Sequence, residues 1–253
     1  MSYIIYAIPF FFLLIAMELV AEYVRKTDYY RTNDAINSLT AGVLSRMVGL
    51  LKALVPFALY ITLYDNYGLF SLGENLWLGL VAFILYDFCY YWNHRFGHEM
   101  SILWAAHVVH HSSEEYNLTT ALRQTSGSFL SWIFYLPLAV LGVDPLLLLT
   151  VGSLNLIYQF WVHTQHIGKL GWLELVFVTP SNHRAHHAQN QIYIDRNYGG
   201  VFIIWDRLFG SFQEELENER PIFGIRKALH SWNPIFANTH VYQQLIKDSW
   251  RTQ

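Results

Sequence analysis

HVVHH (residues 107–111) puts three imidazoles within five residues, between segments apolar enough for a membrane interior. On an α-helix the positions i, i+3 and i+4 share a face, so this spacing aims its side chains at a common point. Ligand-spaced histidines beside long apolar runs predict an all-α integral membrane bundle of about four to five membrane helices. A cytoplasmic helical cap is expected to carry a dinuclear, histidine-rich metal site.

Working outward, the pattern recurs: His94 and His98 form HxxxH, His163 and His166 form HxxH, and His183, His186 and His187 form a second HxxHH. Ten of the twelve histidines are clustered, more than the four to six ligands of one ion, so two ions are the simpler count. Nitrogen-rich ligation suits iron, copper, zinc or nickel, and iron ranks first for chemistry. The single cysteine, Cys89, excludes an internal disulfide, a CxxC pair and a thiolate iron–sulfur cluster. Glu99, next to His98, is the candidate catalytic carboxylate, as ligand, orienter or proton acceptor. Glu114 and Glu115 read as surface residues, and His230 and His240 as ordinary polar residues. Neutral imidazole ligation is expected to fail as the pH falls through about 6.

Hydrophobic residues make up 53% of the 253-residue chain and charged residues 14%, against about 25% charged in soluble domains. That deficit points to lipid. With a net charge of -3 and no basic cluster, nucleic acid is excluded as a partner. Residues 3–20 would span ~27 Å as a helix and read as a retained membrane segment, because MSYIIY lacks a signal peptide's basic start and cleavage site. Further membrane helices are expected at 47–64 and 76–92, with a hairpin over 126–162 turning at Gly142, Asp144 and Pro145 and a short, re-entrant first leg. Tyr90, Tyr91 and Trp92 fit an interfacial belt.

Arg25, Lys26, Arg31 and Arg46 follow the first helix, whereas residues 65–75 carry no Lys or Arg, so the first of these segments is expected in the cytoplasm. Every histidine cluster then falls on the cytoplasmic side. The chain reads as a single domain, with N-terminal membrane helices over 1–92 and the histidine core over 93–253. The acidic run QEELENER (213–220) reads as a solvated turn. In the 193–212 block, Asp195, Arg196, Asp206 and Arg207 are expected to pair and fold the cap over Trp205 and Phe209, or Asp195 and Asn197 to orient metal-bound imidazoles.

HxxxH followed by two HxxHH motifs resembles the fatty acid hydroxylase/sterol desaturase superfamily of membrane di-iron oxygenases. Within it, residues 98–125, YQFWVHTQH (158–166), TPSNHRAHH (179–187) and YIDRNYGGVFIIWDRLFGSF (193–212) are most similar to the alkylglycerol monooxygenase branch. The resemblance covers 75–212 closely; animal members of that branch continue into a further hydrophobic region. It implies two iron ions, O2-dependent hydroxylation of the ether-bearing carbon of an O-alkylglycerol, and tetrahydrobiopterin as electron donor. His94, His98, His107, His110, His111, His163, His183, His186 and His187 fall on its metal motifs and Glu99 on a matching acid. His166 enters from spacing alone, and Asn182 stands where relatives often carry another histidine.

Without GxGxxG or a P-loop, reducing equivalents must come from outside the chain: a pterin, a cytochrome b5-like protein or a ferredoxin. The same histidines would also serve a sterol, fatty acyl or carotenoid hydroxylase or desaturase. A metal transporter is the reading from another class, and it would place ionisable groups inside the helices rather than at their ends.

Overall fold

The computed structural model describes residues 3–72 and 75–251. The Met-Ser start and Gly73–Glu74, part of the 65–75 segment, lie outside them. Among the described residues the chain is all-helical, with two isolated bridges, Leu72 to Val143 and Phe177 to Phe202, in place of strands.

Helix α1 (Ile4–Arg25) is long and apolar enough to cross a membrane, with 22% of its most apolar window buried within the protein. Of its two acids, Glu18 is inside: it accepts hydrogen bonds from Tyr30 Oη (2.5 Å), Leu118 N (2.8 Å) and Thr164 Oγ1. A carboxylate that would be costly in hydrocarbon therefore fixes α1 to two later segments.

The expected helix over 47–64 is instead two, α2 (Thr32–Lys52) and α3 (Leu54–Tyr67), bent by 49° at Ala53. Pro56 accounts for the break, since its ring clashes with the carbonyl four residues back, Lys52, and it donates no hydrogen bond. Helix α4 (Leu76–Glu99), capped by Asn75, runs through the third apolar segment and carries HxxxH in its last turns. Tyr91 is fully buried and bonded to Ser211 Oγ, and Tyr90 donates to Gln159, so these tyrosines pack the interior rather than form an interfacial belt.

Helix α5 (Ser101–His111) carries the first HxxHH, and α6 (Leu118–Ala121) is a single capped turn. The hairpin's first leg is a 3-10 turn (Ser131–Tyr135) running into α7 (Leu136–Val140); its ten residues span at most ~20 Å, short of a bilayer core. Gly142 turns the chain at φ 85°, with the Phe70 carbonyl where a Cβ would sit, and Asp144 caps α8 (Pro145–Trp161) through Leu146 N and Leu147 N. Helices α9 (Pro180–His187), α10 (Ile204–Leu208) and α11 (Pro234–Arg251) complete the chain, with α11 packed along α5. Large apolar side chains remain exposed on α1 (Phe10, Leu13, Met17), at the α2–α3 bend (Leu50, Leu51, Leu54) and at the start of α4 (Leu76, Trp77).

The 193–212 block is held differently from the expected ion pairing. Asp206 accepts from Tyr198 N, Gly199 N and Ser211 Oγ. Arg207 donates to the Glu174 carbonyl and lies over the Phe212 ring, while Arg196 donates to the Gly210 carbonyl. The anchor of the block is Asp87 on α4, fully buried, which accepts from Val201 N (2.8 Å), Phe202 N (3.0 Å), Trp205 Nε1 (2.9 Å) and Asn155 Nδ2 (2.7 Å). The 213–220 run is also more than a solvated turn. Glu215 takes both Arg184 Nε and Nη2 (2.9 and 2.7 Å), and that guanidinium also donates to the Thr164 and Ile167 carbonyls, tying α9 to the His163 segment.

Candidate metal centre

Nine of the ten predicted histidines come together in two adjoining groups, His94, His98, His107, His111 and His186 in one and His110, His163, His183 and His187 in the other. The two HxxHH helices do not each aim at one point, as their spacing alone suggests. On α5 the i and i+4 residues, His107 and His111, join the first group and the i+3 residue, His110, joins the second. On α9 the exchange is reversed: His183 and His187 join the second group and His186 the first. At 100° per residue, i+4 lies +40° from i while i+3 lies -60° from it, so each helix divides its three imidazoles between two neighbouring points.

Backbone carbonyls set the orientation of four rings. His94 Nδ1 bonds to Tyr198 O (2.8 Å), His186 Nδ1 to Arg196 O (2.8 Å), His110 Nδ1 to Arg123 O (3.1 Å) and His163 Nδ1 to Gln159 O (2.7 Å). A carbonyl only accepts, so each Nδ1 carries the proton and each neutral ring is left with its lone pair on Nε2. Those Nε2 atoms converge. His110 and His163 face each other at 3.2 Å, His163 and His183 at 3.0 Å, His94 and His107 at 2.9 Å, His107 and His111 at 3.1 Å, and His111 and His186 at 3.1 Å. For His110 and His163 both Nδ1 protons are committed to carbonyls, so in the neutral rings two lone pairs meet at 3.2 Å, an arrangement that an ion bound to both would relieve. Nitrogens ~2.1 Å from one ion and at right angles about it stand ~3.0 Å apart, so the donor set fits a metal ion in each group. His98 Nε2 and His187 Nε2, buried with no hydrogen-bond partner, supply two further free donors.

Burial keeps these rings neutral. His110 is pushed down to about 4 by loss of solvent, and the same desolvation, reinforced by neighbouring imidazoles, takes His183, His186 and His187 well below the usual histidine value. Proton competition for His110 accordingly begins nearer pH 4 than the pH 6 expected from free imidazole.

The other predicted residues lie outside the two groups. His166 packs edge-on against Tyr29, ring centroids 5.0 Å apart. Glu99 is 39% exposed and pairs with Arg95 at 2.8 Å; that arginine in turn donates to Tyr91 Oη. Asp195, in the left-handed region at φ 57°, places Oδ1 3.7 Å from His98 Nδ1. The Asn197 side chain spends its hydrogen bonds on the Asn182 and Gln213 backbone. Asn182, standing where relatives often have histidine, completes the capping box of α9 with Thr179.

Sequence reading missed the supporting groups: Asp87, Gln159, Arg123, and the Arg196 and Tyr198 carbonyls. Only Asp87, a lone acid in an apolar run, left a trace in the pattern. A cavity of about 760 Å³ opens onto both groups through His98, His111, His186 and His187; Trp104, Val108, Leu229 and Phe236 line its apolar part, and His240 also borders it.

A family model described as fatty acid hydroxylase matches residues 79–211, the span from α4 through the anchored block. Alkylglycerol monooxygenase of Homo sapiens is 44% identical over 99% of this chain and 56% of its own length. The Danio rerio protein of the same name is 43% identical over the whole chain and 56% of its own length. Lathosterol oxidase of Mus musculus is 28% identical over 61% of the chain and 52% of its own length. The chain thus spans about half the length of these curated relatives. No solved structure matches it.

Proposed function

Since the chain belongs to the fatty acid hydroxylase family, we propose that it is a membrane-bound, O2-dependent monooxygenase that hydroxylates a lipid, with the ether-bearing carbon of an O-alkylglycerol as its target. Hydroxylation there consumes O2, two electrons and two protons, yields water and a hemiacetal, and the hemiacetal separates into an aldehyde and a glycerol product. The observation that carries this reading is the pair of imidazole groups whose lone pairs converge beside an apolar cavity. Two irons, one per group, would supply the O2 activation that no side chain can provide.

The protein's own residues have defined tasks. His94, His98, His107, His111 and His186 would hold one ion, and His110, His163, His183 and His187 the other. Four backbone carbonyls fix their tautomers, which keeps Nε2 available. Trp104, Val108, Leu229 and Phe236 exclude water and receive the alkyl chain. Glu99 acts through Arg95 as a positioning residue at the end of α4. His166 is left out of the ligand set because it joins neither group.

The membrane reading takes α1, the bent α2–α3 pair, α4 and the α7–α8 hairpin as the embedded bundle, with the histidine groups on the cytoplasmic side. The exposed apolar surface and the Arg25, Lys26 and Arg31 positions between α1 and α2 support it. Electrons come from tetrahydrobiopterin or from a cytochrome b5-like protein or a ferredoxin. The test supplies iron-loaded protein in detergent with O2, reduced pterin and an O-alkylglycerol, and follows aldehyde. Aldehyde formation in step with O2 uptake supports the reading; O2-dependent product only from sterols or acyl lipids would replace the substrate.

A further inference from the structure

Three oxidisable rings lead away from the five-histidine group. Tyr198, fully buried, has its ring centroid 5.3 Å from that of His98 and 6.0 Å from that of His94. Tyr91 follows at 6.1 Å from Tyr198, and Trp92 at 5.3 Å from Tyr91. Trp92 is half-buried and packs at 5.0 Å against Phe209, which is 40% exposed, so the series ends at the protein surface.

The two phenols differ in what can take their proton. Tyr198 Oη is buried with no hydrogen-bond partner. Tyr91 Oη lies 2.9 Å from Ser211 Oγ, and Ser211 Oγ donates to Asp206 Oδ1 at 2.6 Å. Serine has a single hydroxyl proton, already given to Asp206, and Arg95 Nη1, the other neighbour of Tyr91 Oη at 3.1 Å, only donates. Tyr91 therefore donates to Ser211, and its proton has a short way to a buried carboxylate. Loss of solvent pushes that carboxyl up to about 6, so at neutral pH it is ionised yet takes a proton more readily than an ordinary aspartate. Packing alone does not call for the hydroxyl, since phenylalanine would fill the same space without a buried polar group to satisfy.

We propose that Tyr91 is a redox-active residue, the relay by which an oxidising equivalent leaves the metal centre when O2 has reacted there and no lipid is present. This rests on the O2-activating reading of the histidine groups. In the step, Tyr91 gives one electron, by way of the Tyr198 ring, to the oxidised centre. Its O–H bond breaks, the proton passes to Ser211 Oγ, and the serine's own proton passes to Asp206. The products are a neutral phenoxyl radical, a protonated Asp206 and a centre reduced by one electron. Trp92 then passes an electron inward from a one-electron reductant in solution, of the ascorbate class, and Asp206 returns the proton through Ser211. The histidine ligands are thereby spared oxidation.

The test loads the protein in detergent with ferrous iron, removes excess reductant, mixes it with O2 in the absence of lipid, and freezes it for electron paramagnetic resonance. A tyrosyl radical is expected, its signal narrowed by ring-deuterated tyrosine, and it should be absent from Tyr91→Phe. Ser211→Ala keeps the Tyr91 ring but removes its proton acceptor, and should lower the radical yield by about tenfold or more, with Ser211→Thr restoring it. Variants are compared at equal iron content and O2 uptake, which separates loss of the relay from misfolding. O2 uptake with no tyrosyl radical, the same radical in Tyr91→Phe, or an undiminished yield in Ser211→Ala overturns the proposal alone. Failure to bind iron or to take up O2 overturns it together with the oxygenase reading.

Discussion

Replacing Asp87 by leucine tests how the fold holds the metal centre. The substitution removes the acceptor for four donors at once, the Val201 and Phe202 amides, the Trp205 indole and the Asn155 amide, at a side chain with no solvent exposure. Each buried donor left without a partner costs about 1–3 kcal/mol, so the loss for four is on the order of 4–12 kcal/mol, a large share of the ~5–15 kcal/mol that stabilises a domain. The penalty falls on the segment whose Arg196 and Tyr198 carbonyls orient His186 and His94. Asp87→Asn keeps one accepting oxygen and turns an amide toward the remaining donors, so roughly half that cost is expected. Hydrogen–deuterium exchange over residues 196–205, read with bound metal per chain, is the assay. In Asp87→Leu the Val201 and Phe202 amides should exchange about a hundredfold faster or more, and metal should be lost. Native protection with full metal content in the leucine variant would refute the anchoring role.

His110→Ala should empty the four-histidine group and cost about one ion per chain, whereas His166→Ala should leave metal content unchanged; elemental analysis of both variants decides this. Glu18→Leu strands Tyr30 Oη, Leu118 N and Thr164 Oγ1 and should destabilise the protein by about 3 kcal/mol, seen as a lower thermal midpoint in detergent. In metal-free protein, His110 is held near 4 in the folded state against about 6.5 unfolded, so the unfolded chain binds more protons between those values. Stability should be constant above about pH 7 and fall as the pH drops from 6.5 towards 4, by up to about 3 kcal/mol from this ring; a thermal midpoint that stays level down to about pH 4.5 would contradict it.

The histidine motifs were legible because ligand spacing on a helix survives any detail of packing. The 76–92 helix and the hairpin turn at Gly142–Pro145 were legible because apolar length and turn chemistry are local. The division of each HxxHH between two groups was not, since it depends on where the facing helix sits and not on the spacing itself. The break at Ala53 was written in Pro56, yet the apolar run around it reads as continuous. Asp87 and Glu18 looked like single acids tolerated in apolar helices. Their partners lie far along the chain, Asn155 at 68 residues from Asp87 and Thr164 at 146 residues from Glu18, separations at which no periodicity operates.

The most direct test of the central claim is iron per chain, with X-ray absorption at the iron edge, on protein prepared under reducing, anaerobic conditions. Two irons per chain in nitrogen- and oxygen-only shells are predicted, falling to one in His110→Ala. No bound iron, a single iron, or sulfur in the shell would contradict the assignment of nine histidines to two oxygen-activating sites.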